Sequence, residues 1–187
     1  MDAKNLVIIG AEDDALDFDL GYQGRIQYAY IRQVPSVGTV GSDSNGIESD
    51  NHPSAFDLAP RTRPTISNFT IIGAGNAGNE GMRLRRGSGG RYTKGIVTGF
   101  NAEGLNFNDN ATFTASGTAQ APTATGVLTM SGAALGCTTN FEDSGSEPFP
   151  VSAWYRGQSG NSDGAAAALG LSGRFPSASS ILLGTGV

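Results

Sequence analysis

The stretch EGLNFN, residues 103–108, has the same pattern as EGMRLR at 80–85, NGIESD at 45–50 and DALDFD at 14–19. Each begins with a polar residue and a small one, and apolar and polar side chains then alternate. Such alternation is typical of a β-strand with one buried face. Four copies along one chain indicate a structural repeat in which every unit contributes the same strand.

The four strands superimpose without gaps, so their inward side chains should stack in columns. One column would contain Leu16, Ile47, Met82 and Leu105, and the next Phe18, Ser49, Leu84 and Phe107. A single unit cannot bury its own column, so neighbouring units must stack on it. The interval between the last two strands suits one short coil of a β-helix, and insertions such as VPSVGTVGSDS (34–44) lengthen earlier coils.

We therefore predict an all-β fold, a right-handed parallel β-helix that forms a single domain over residues 1–187 and is truncated at one or both ends. The alternative is an antiparallel sandwich with a turn every 8–12 residues or so. A sandwich does not explain why the columns align across four units. Open coil ends would leave strand edges through which copies of the chain could associate.

The amino-acid composition limits the kinds of fold and binding partner that can be expected. Glycine provides 28 of the 187 residues, about twice its usual share, as expected for many tight turns. The net charge of −5 disfavours nucleic acid, whose phosphates need a basic face. No apolar run approaches the roughly 18 residues of a membrane span. The only cysteine, Cys137, has apolar neighbours and should be a buried thiol.

Acidic residues concentrate in the first two units. If Leu16 and Phe18 point inward, Asp17 and Asp19 point outward, with Glu48 and Asp50 about 4.8 Å away on the next coil. Carboxylates this close repel and need a neutralising partner. Calcium, which takes about six to eight oxygen ligands, would fit. The predicted calcium ligands are Asp14, Asp17, Asp19, Glu48, Asp50 and Asn51.

Two alternatives to calcium stay open for the acidic patch. Arg83 and Arg85 occupy the outward positions of the third unit, beside Glu48 and Asp50, and could neutralise them through ion pairs. The patch could also be a solvated face. Zinc is disfavoured because the chain contains one histidine and one cysteine.

Several functions fit this constellation. A calcium ion could polarise a carbonyl while Glu48 or Asp50 acts as the catalytic base, and Arg83 and Arg85 could bind the substrate. This predicts a calcium-dependent hydrolase of small esters or lactones. The alternatives are a carbohydrate-binding module or a polysaccharide-lyase-like β-helix, and a non-catalytic, calcium-stabilised surface protein. Whether the chain is an enzyme stays open, because His52 is the only histidine and no G-x-S-x-G motif is present.

Aromatic residues offer a further binding hypothesis. Tyr22, Tyr28, Tyr30, Tyr92 and Phe100 could form a sugar platform along the flank of the helix. The alternative for Tyr28 and Tyr30, which lie on an alternating strand, is that one face of that strand belongs to the core. The pair Trp154 and Tyr155 in SAWYRGQ (152–158) is the better candidate for exposure, and capping of the helix end is the alternative for it. A small-molecule or saccharide ligand is therefore the expected organic partner.

Three segments carry a resemblance to a known group. EDDALDFDLGYQGRIQYAYI (12–31), PRTRPTISNFTIIG (60–73) and KGIVTG (94–99) resemble secreted bacterial parallel β-helix repeat proteins, often called hypothetical lipoproteins. The resemblance covers about Asn5 to Asp143 and implies the fold, export to the outside or surface of a bacterium, and a longer parent protein. It transfers no catalytic residue. NFND (106–109) departs from the group, which weakens any second acidic site there.

Overall fold

Two parallel sheets dominate the architecture of the chain. The structure is a computed structural model, and it describes residues 1–37, 40–76, 78–118, 126–165, 169, 171–172 and 175–176. The strands of the first sheet are β1 (Ala3–Ile9), β3 (Arg25–Arg32), β5 (Thr65–Ile72), β7 (Gly90–Thr98), β9 (Leu128–Ser131), β10 (Ala134–Gly136) and β12 (Ser162–Asp163). Those of the second are β2 (Leu16–Phe18), β4 (Ile47–Asp50), β6 (Met82–Arg85), β8 (Glu103–Asn108) and β11 (Thr139–Phe141).

From β1 to β8 the chain alternates between the two sheets, as a solenoid requires, and β9 and β10 then both belong to the first sheet. The first sheet has the strand order β1-β3-β5-β7-β10-β12, with β9 also paired to β7, and the second has the order β11-β8-β6-β4-β2. Every pairing in both sheets is parallel. The predicted parallel β-helix is therefore confirmed. A separate antiparallel pair, β13 (Leu171–Ser172) and β14 (Phe175–Pro176), follows the coils.

The register of the second sheet is the predicted one. Leu16 pairs with Ile47, Ile47 with Met82, and Met82 with Leu105. The second column also forms, with Ser49 between Phe18 and Leu84. Except for the half-buried Leu16 on the first coil, these side chains are buried, so the columns form the core between the sheets.

Glycine immediately precedes β4 and β6 because the two sheets approach closely there. A Cβ atom at Gly46 would collide with the side chain of Ile71, and one at Gly81 with the side chain of Val97. The glycines therefore fix where the chain can turn into the second sheet. This explains why the polar turn and the alternating strand keep the same spacing in successive units.

Each long strand of the first sheet contains a corner residue with left-handed backbone. The φ angle is 62° at Tyr28, and the flanking registers place this residue in one row with Asn5, Asn68, Lys94 and Gly132, whose φ angles are 60°, 55°, 55° and 62°. We call these five residues the corner row. At each corner the alternation of inward and outward side chains shifts by one, so residues 27 and 28 both avoid the core while Ala29 is buried.

Two short helices close the later coils, and the strand pattern did not predict them. Helix α1 (Asn110–Ser116) begins after Asp109, whose side chain accepts a hydrogen bond from the Thr112 N–H. Helix α2 (Val151–Arg156) follows Pro150. In the part of the chain that is described, no helix is long and apolar enough to cross a membrane.

Candidate functional site

The acidic residues lie on one outer wall, as the alternation predicted. Asp17 pairs in register with Glu48, and the next strand continues the row with Arg83. Asp50 lies beside Arg85 in the neighbouring row. The first two coils therefore do present their acids on a shared surface, and the third coil presents arginines directly alongside.

Arginines neutralise the carboxylates of the second coil. Arg85 Nε lies 2.7 Å from Asp50 Oδ1, and the same guanidinium pairs with Glu48. Arg86 Nη1 lies 2.5 Å from the other oxygen of Asp50. The side chains of Glu48 and Asp50 are only 9% and 7% exposed. We call Glu48, Asp50, Arg85 and Arg86 the ion-pair ladder, and it contains carboxylate–arginine pairs of the kind that the arginine alternative predicted.

Burial sets the protonation of the glutamates around the ladder. It raises the pKa of Glu48 to about 7, with a further increase from Asp14 and an opposing effect of Arg85. Burial likewise raises the pKa of Glu80 to about 7, against the attraction of Arg83. These carboxyl groups could exchange protons near neutral pH. The access of Glu48 is limited, however, because its side chain is enclosed and bonded to Arg85.

The predicted calcium ligands have protein partners to different degrees. Asp14 Oδ1 accepts a hydrogen bond of 2.7 Å from the Asn45 N–H. The Asn51 amide donates to the Phe56 and Leu58 carbonyls and holds the loop that follows β4. Asp17 and Asp19 are exposed. Within the described residues no group of three or more Asp, Glu, His or Cys is placed to hold a metal ion.

The surroundings of His52 and Cys137 indicate structural roles for both side chains. His52 Nδ1 accepts hydrogen bonds from the backbone N–H groups of Ser54 and Ala55, at 3.2 and 3.0 Å, and so orders a turn. Cys137 is 3% exposed, and burial raises its pKa to about 11, which keeps the thiol protonated. The predicted buried thiol is confirmed.

Trp154 and Tyr155 do not form an exposed platform, and the expectation of exposure was wrong. Both side chains are fully buried, and so are Tyr92 and Phe100, two further predicted members of the sugar platform. Helix α2 turns Trp154 and Tyr155 inward, where the Trp154 ring lies 4.8 Å from the Phe107 ring and the Tyr155 hydroxyl donates to the Ala133 carbonyl. The alternative, that they close the core at this end, is what the structure shows.

A polar and basic surface that sequence reasoning missed covers the first halves of the long strands. One outward row follows the registers through Arg25, Thr65, Arg91 and Thr129, and a second contains Lys4, Gln27, Ser67, Thr93 and Ser131. We call these two rows, with the adjoining turn residues Gln23 and Arg63, the cationic face. A groove of about 390 Å³ runs along it, lined by Gln23, Arg63, Thr65, Gly90, Arg91, Gly126, Val127 and Thr129.

The cationic face collects most of the basic side chains that lack a carboxylate partner. Across the described ranges, the bases without an ion pair are Lys4, Arg32, Arg63, Arg91 and Lys94. All except Arg32 lie on this face or at the corner row that borders it. Asp2, at the same surface, is already paired with Arg25 at 2.6 Å. A protein with a net charge of −5 thus has one locally positive wall.

One signal in the sequence could have revealed this face. The segments RIQ (25–27), TIS (65–67) and RYT (91–93) each place an apolar or aromatic residue between two polar ones. The corner residue that follows shifts the alternation by one, so the first half of each strand falls out of phase with the second half. Reading each half separately would have aligned the arginines and threonines.

The fold and these surfaces define a parallel β-helix with charged outer walls. The chain belongs to the pectate-lyase-like β-helix domain family, whose model matches residues 1–167. Searches of curated proteins and of solved structures found no match. Among the predicted functions, family membership fits the polysaccharide-lyase-like alternative, at the level of the domain.

Proposed function

We propose that this protein is a saccharide-binding β-helix and that the cationic face holds an acidic polysaccharide such as a polyuronate. The observation that carries the proposal is the groove in which Arg63 and Arg91 lie without a carboxylate partner in the described part of the chain. Guanidinium groups bind carboxylates through paired hydrogen bonds. The side chains of Gln23, Thr65 and Thr129 add the donors and acceptors that sugar hydroxyls require.

The groove supports binding better than catalysis. Its described lining contains no carboxylate, histidine or tyrosine, so it offers no group with which to abstract a proton from a sugar. Membership in a pectate-lyase-like family supports a polysaccharide ligand. The hydrolysis of small esters or lactones by Glu48 and Asp50, with Arg83 and Arg85 as substrate-binding groups, stays a prediction, as does export from a bacterium.

Replacement of Arg63 and Arg91 by glutamine tests the proposal. The native protein should be retarded in a native gel that contains polygalacturonate, and the double variant should bind at least about tenfold more weakly, because two charge-assisted contacts are lost. Retardation should also weaken as salt is added. The matched control is Arg156→Gln, which removes an exposed arginine that pairs with Asp163 outside the groove.

Two ligand controls separate this binding from simple charge attraction. A neutral dextran should cause no retardation, and double-stranded DNA should bind more weakly than the polyuronate because the net charge of −5 repels its densely spaced phosphates. Equal retardation of the native protein and the double variant by polygalacturonate would reject the proposal. So would a preference for DNA.

A calcium site near Asp17 and Asp19 is a second proposal, supported by one feature. Partial desolvation raises the pKa of the largely exposed Asp17, and Asp19 and Asp50 raise it further, so a bound cation would relieve repulsion there. We expect about 1 mM calcium to raise the melting temperature of the native protein by a few degrees and to have no effect on a variant with Asp17→Asn and Asp19→Asn. Equal melting in calcium and in chelator would refute the site.

A further inference from the structure

The most unusual residue of the corner row is Tyr28. Left-handed backbone is tolerated well by glycine and asparagine, and the row contains Asn5, Asn68 and Gly132 at equivalent positions. Tyr28 and Lys94, the two other members of the row, have no such local preference, and Tyr28 is the aromatic one of the two. Its backbone conformation is imposed by the coils on either side, which pair with β3 along its length.

The side chain of Tyr28 is not buried in the core. It is 47% exposed, whereas Ala29 next to it is 4% exposed and fills the inward position. The ring lies at an open groove of about 300 Å³ that Tyr30 also lines, together with the apolar side chains of Leu6 and Val7. Core packing therefore does not explain why an aromatic ring stands at this corner. Strained residues held by their surroundings are often found at binding sites.

The positive charge and the polar groups around Tyr28 complement the acidic, hydroxyl-rich ligand that we propose. Lys4 Nζ lies 5.4 Å from the centre of the Tyr28 ring, and Gln27 precedes it on the cationic face. A sugar ring has an apolar C–H face and a polar rim, so it can cover the aromatic ring while its hydroxyl and carboxylate groups reach the neighbouring side chains. A protein partner with an apolar surface would instead leave Lys4 and Gln27 buried without partners.

We infer that Tyr28 is a stacking platform for one sugar ring of the acidic polysaccharide, at the border of the cationic face. This inference rests on the proposed function. Tyr28 and Arg91 are separated by about 10 Å along the strand direction and about 10 Å across two strand spacings. A single ligand that contacts both must therefore span several sugar units, with Tyr28 as the aromatic contact and Arg63 and Arg91 as the carboxylate contacts.

The test is the substitution Tyr28→Asn, which has opposite effects on stability and on binding. Asparagine suits the left-handed corner, so the variant should melt at or above the temperature of the native protein, by up to about 3 °C. Its affinity for polygalacturonate should fall by about tenfold, because the ring surface is lost. Tyr28→Phe keeps the ring and should bind like the native protein.

A second measurement does not depend on the stability of the asparagine variant. The ring resonances of Tyr28, identified by their absence from the Tyr28→Phe spectrum, should shift when oligogalacturonate is added to the native protein. Native affinity in Tyr28→Asn, or unshifted Tyr28 resonances at saturation, would overturn the platform while leaving binding at Arg63 and Arg91 intact. Absence of any binding by the native protein would instead reject the proposed function and the platform together.

Discussion

The substitution Arg85→Met is expected to lower the free energy of unfolding by about 3 kcal/mol, because it leaves the enclosed Glu48 without its close arginine and Asp50 with Arg86 alone. Arg85 is the arginine of the ladder that bridges Glu48 and Asp50, and its own side chain is 22% exposed. Methionine retains most of the apolar stem, so the loss reports on the charge rather than on packing. Chemical denaturation at pH 7 and constant salt measures the effect.

Arg25→Met is the matched control for the ladder. Arg25 forms an ion pair with Asp2 at a comparable distance of 2.6 Å, but the two side chains are 76% and 53% exposed. An exposed pair contributes only about 0–1 kcal/mol, so this variant should unfold almost like the native protein. Equal losses in the two variants would contradict the assignment of the ladder as the neutralising element of the acidic wall.

The substitution Trp154→Ala should be more damaging still, with a loss of about 4 kcal/mol. The indole is fully buried against Phe107, and its Nε1 donates a hydrogen bond of 3.0 Å to the Ser116 carbonyl at the end of α1. Removal of the ring leaves a cavity between α2 and the last coils and an unsatisfied carbonyl. Thermal and chemical unfolding, followed by circular dichroism, would measure the loss in the free energy of unfolding.

Two companion variants show whether the effect comes from the core. Trp154→Phe keeps an aromatic ring but loses the hydrogen bond and part of the volume, so its loss should be intermediate. Leu58→Ala removes an apolar side chain that is 49% exposed, and its effect should stay within about 0.5 kcal/mol. A loss below about 1 kcal/mol in Trp154→Ala would show that α2 is not part of the packed core.

Much of the fold could be predicted because one physical constraint repeats in the sequence. Most inward positions of the second sheet must be apolar at every other residue, and Gly46 and Gly81 must leave room for Ile71 and Val97 of the first sheet. These requirements produce the gapless columns that predicted the register. The outward positions of Glu48 and Arg85 follow from the same alternation.

The features that escaped prediction depend on contacts that alternation does not encode. The corner row shifts the phase of each long strand by one residue, which hid the alignment of Thr65 with Arg91. The burial of Trp154 depends on a short helix that packs across the coil. The ion pairs of Asp50 with Arg85 and Arg86 depend on side-chain geometry that alternation does not encode, and calcium binding at this wall stays a prediction.

The position of a bound oligogalacturonate on the protein tests the central claim most directly. Backbone amide shifts of the native protein, recorded during titration with the oligosaccharide, would map the contact surface. We expect the largest changes at Thr65, Gly90, Arg91 and Thr129, which line the groove on the cationic face. Changes confined to the wall of Asp17 and Glu48, or no changes at millimolar ligand, would contradict the account.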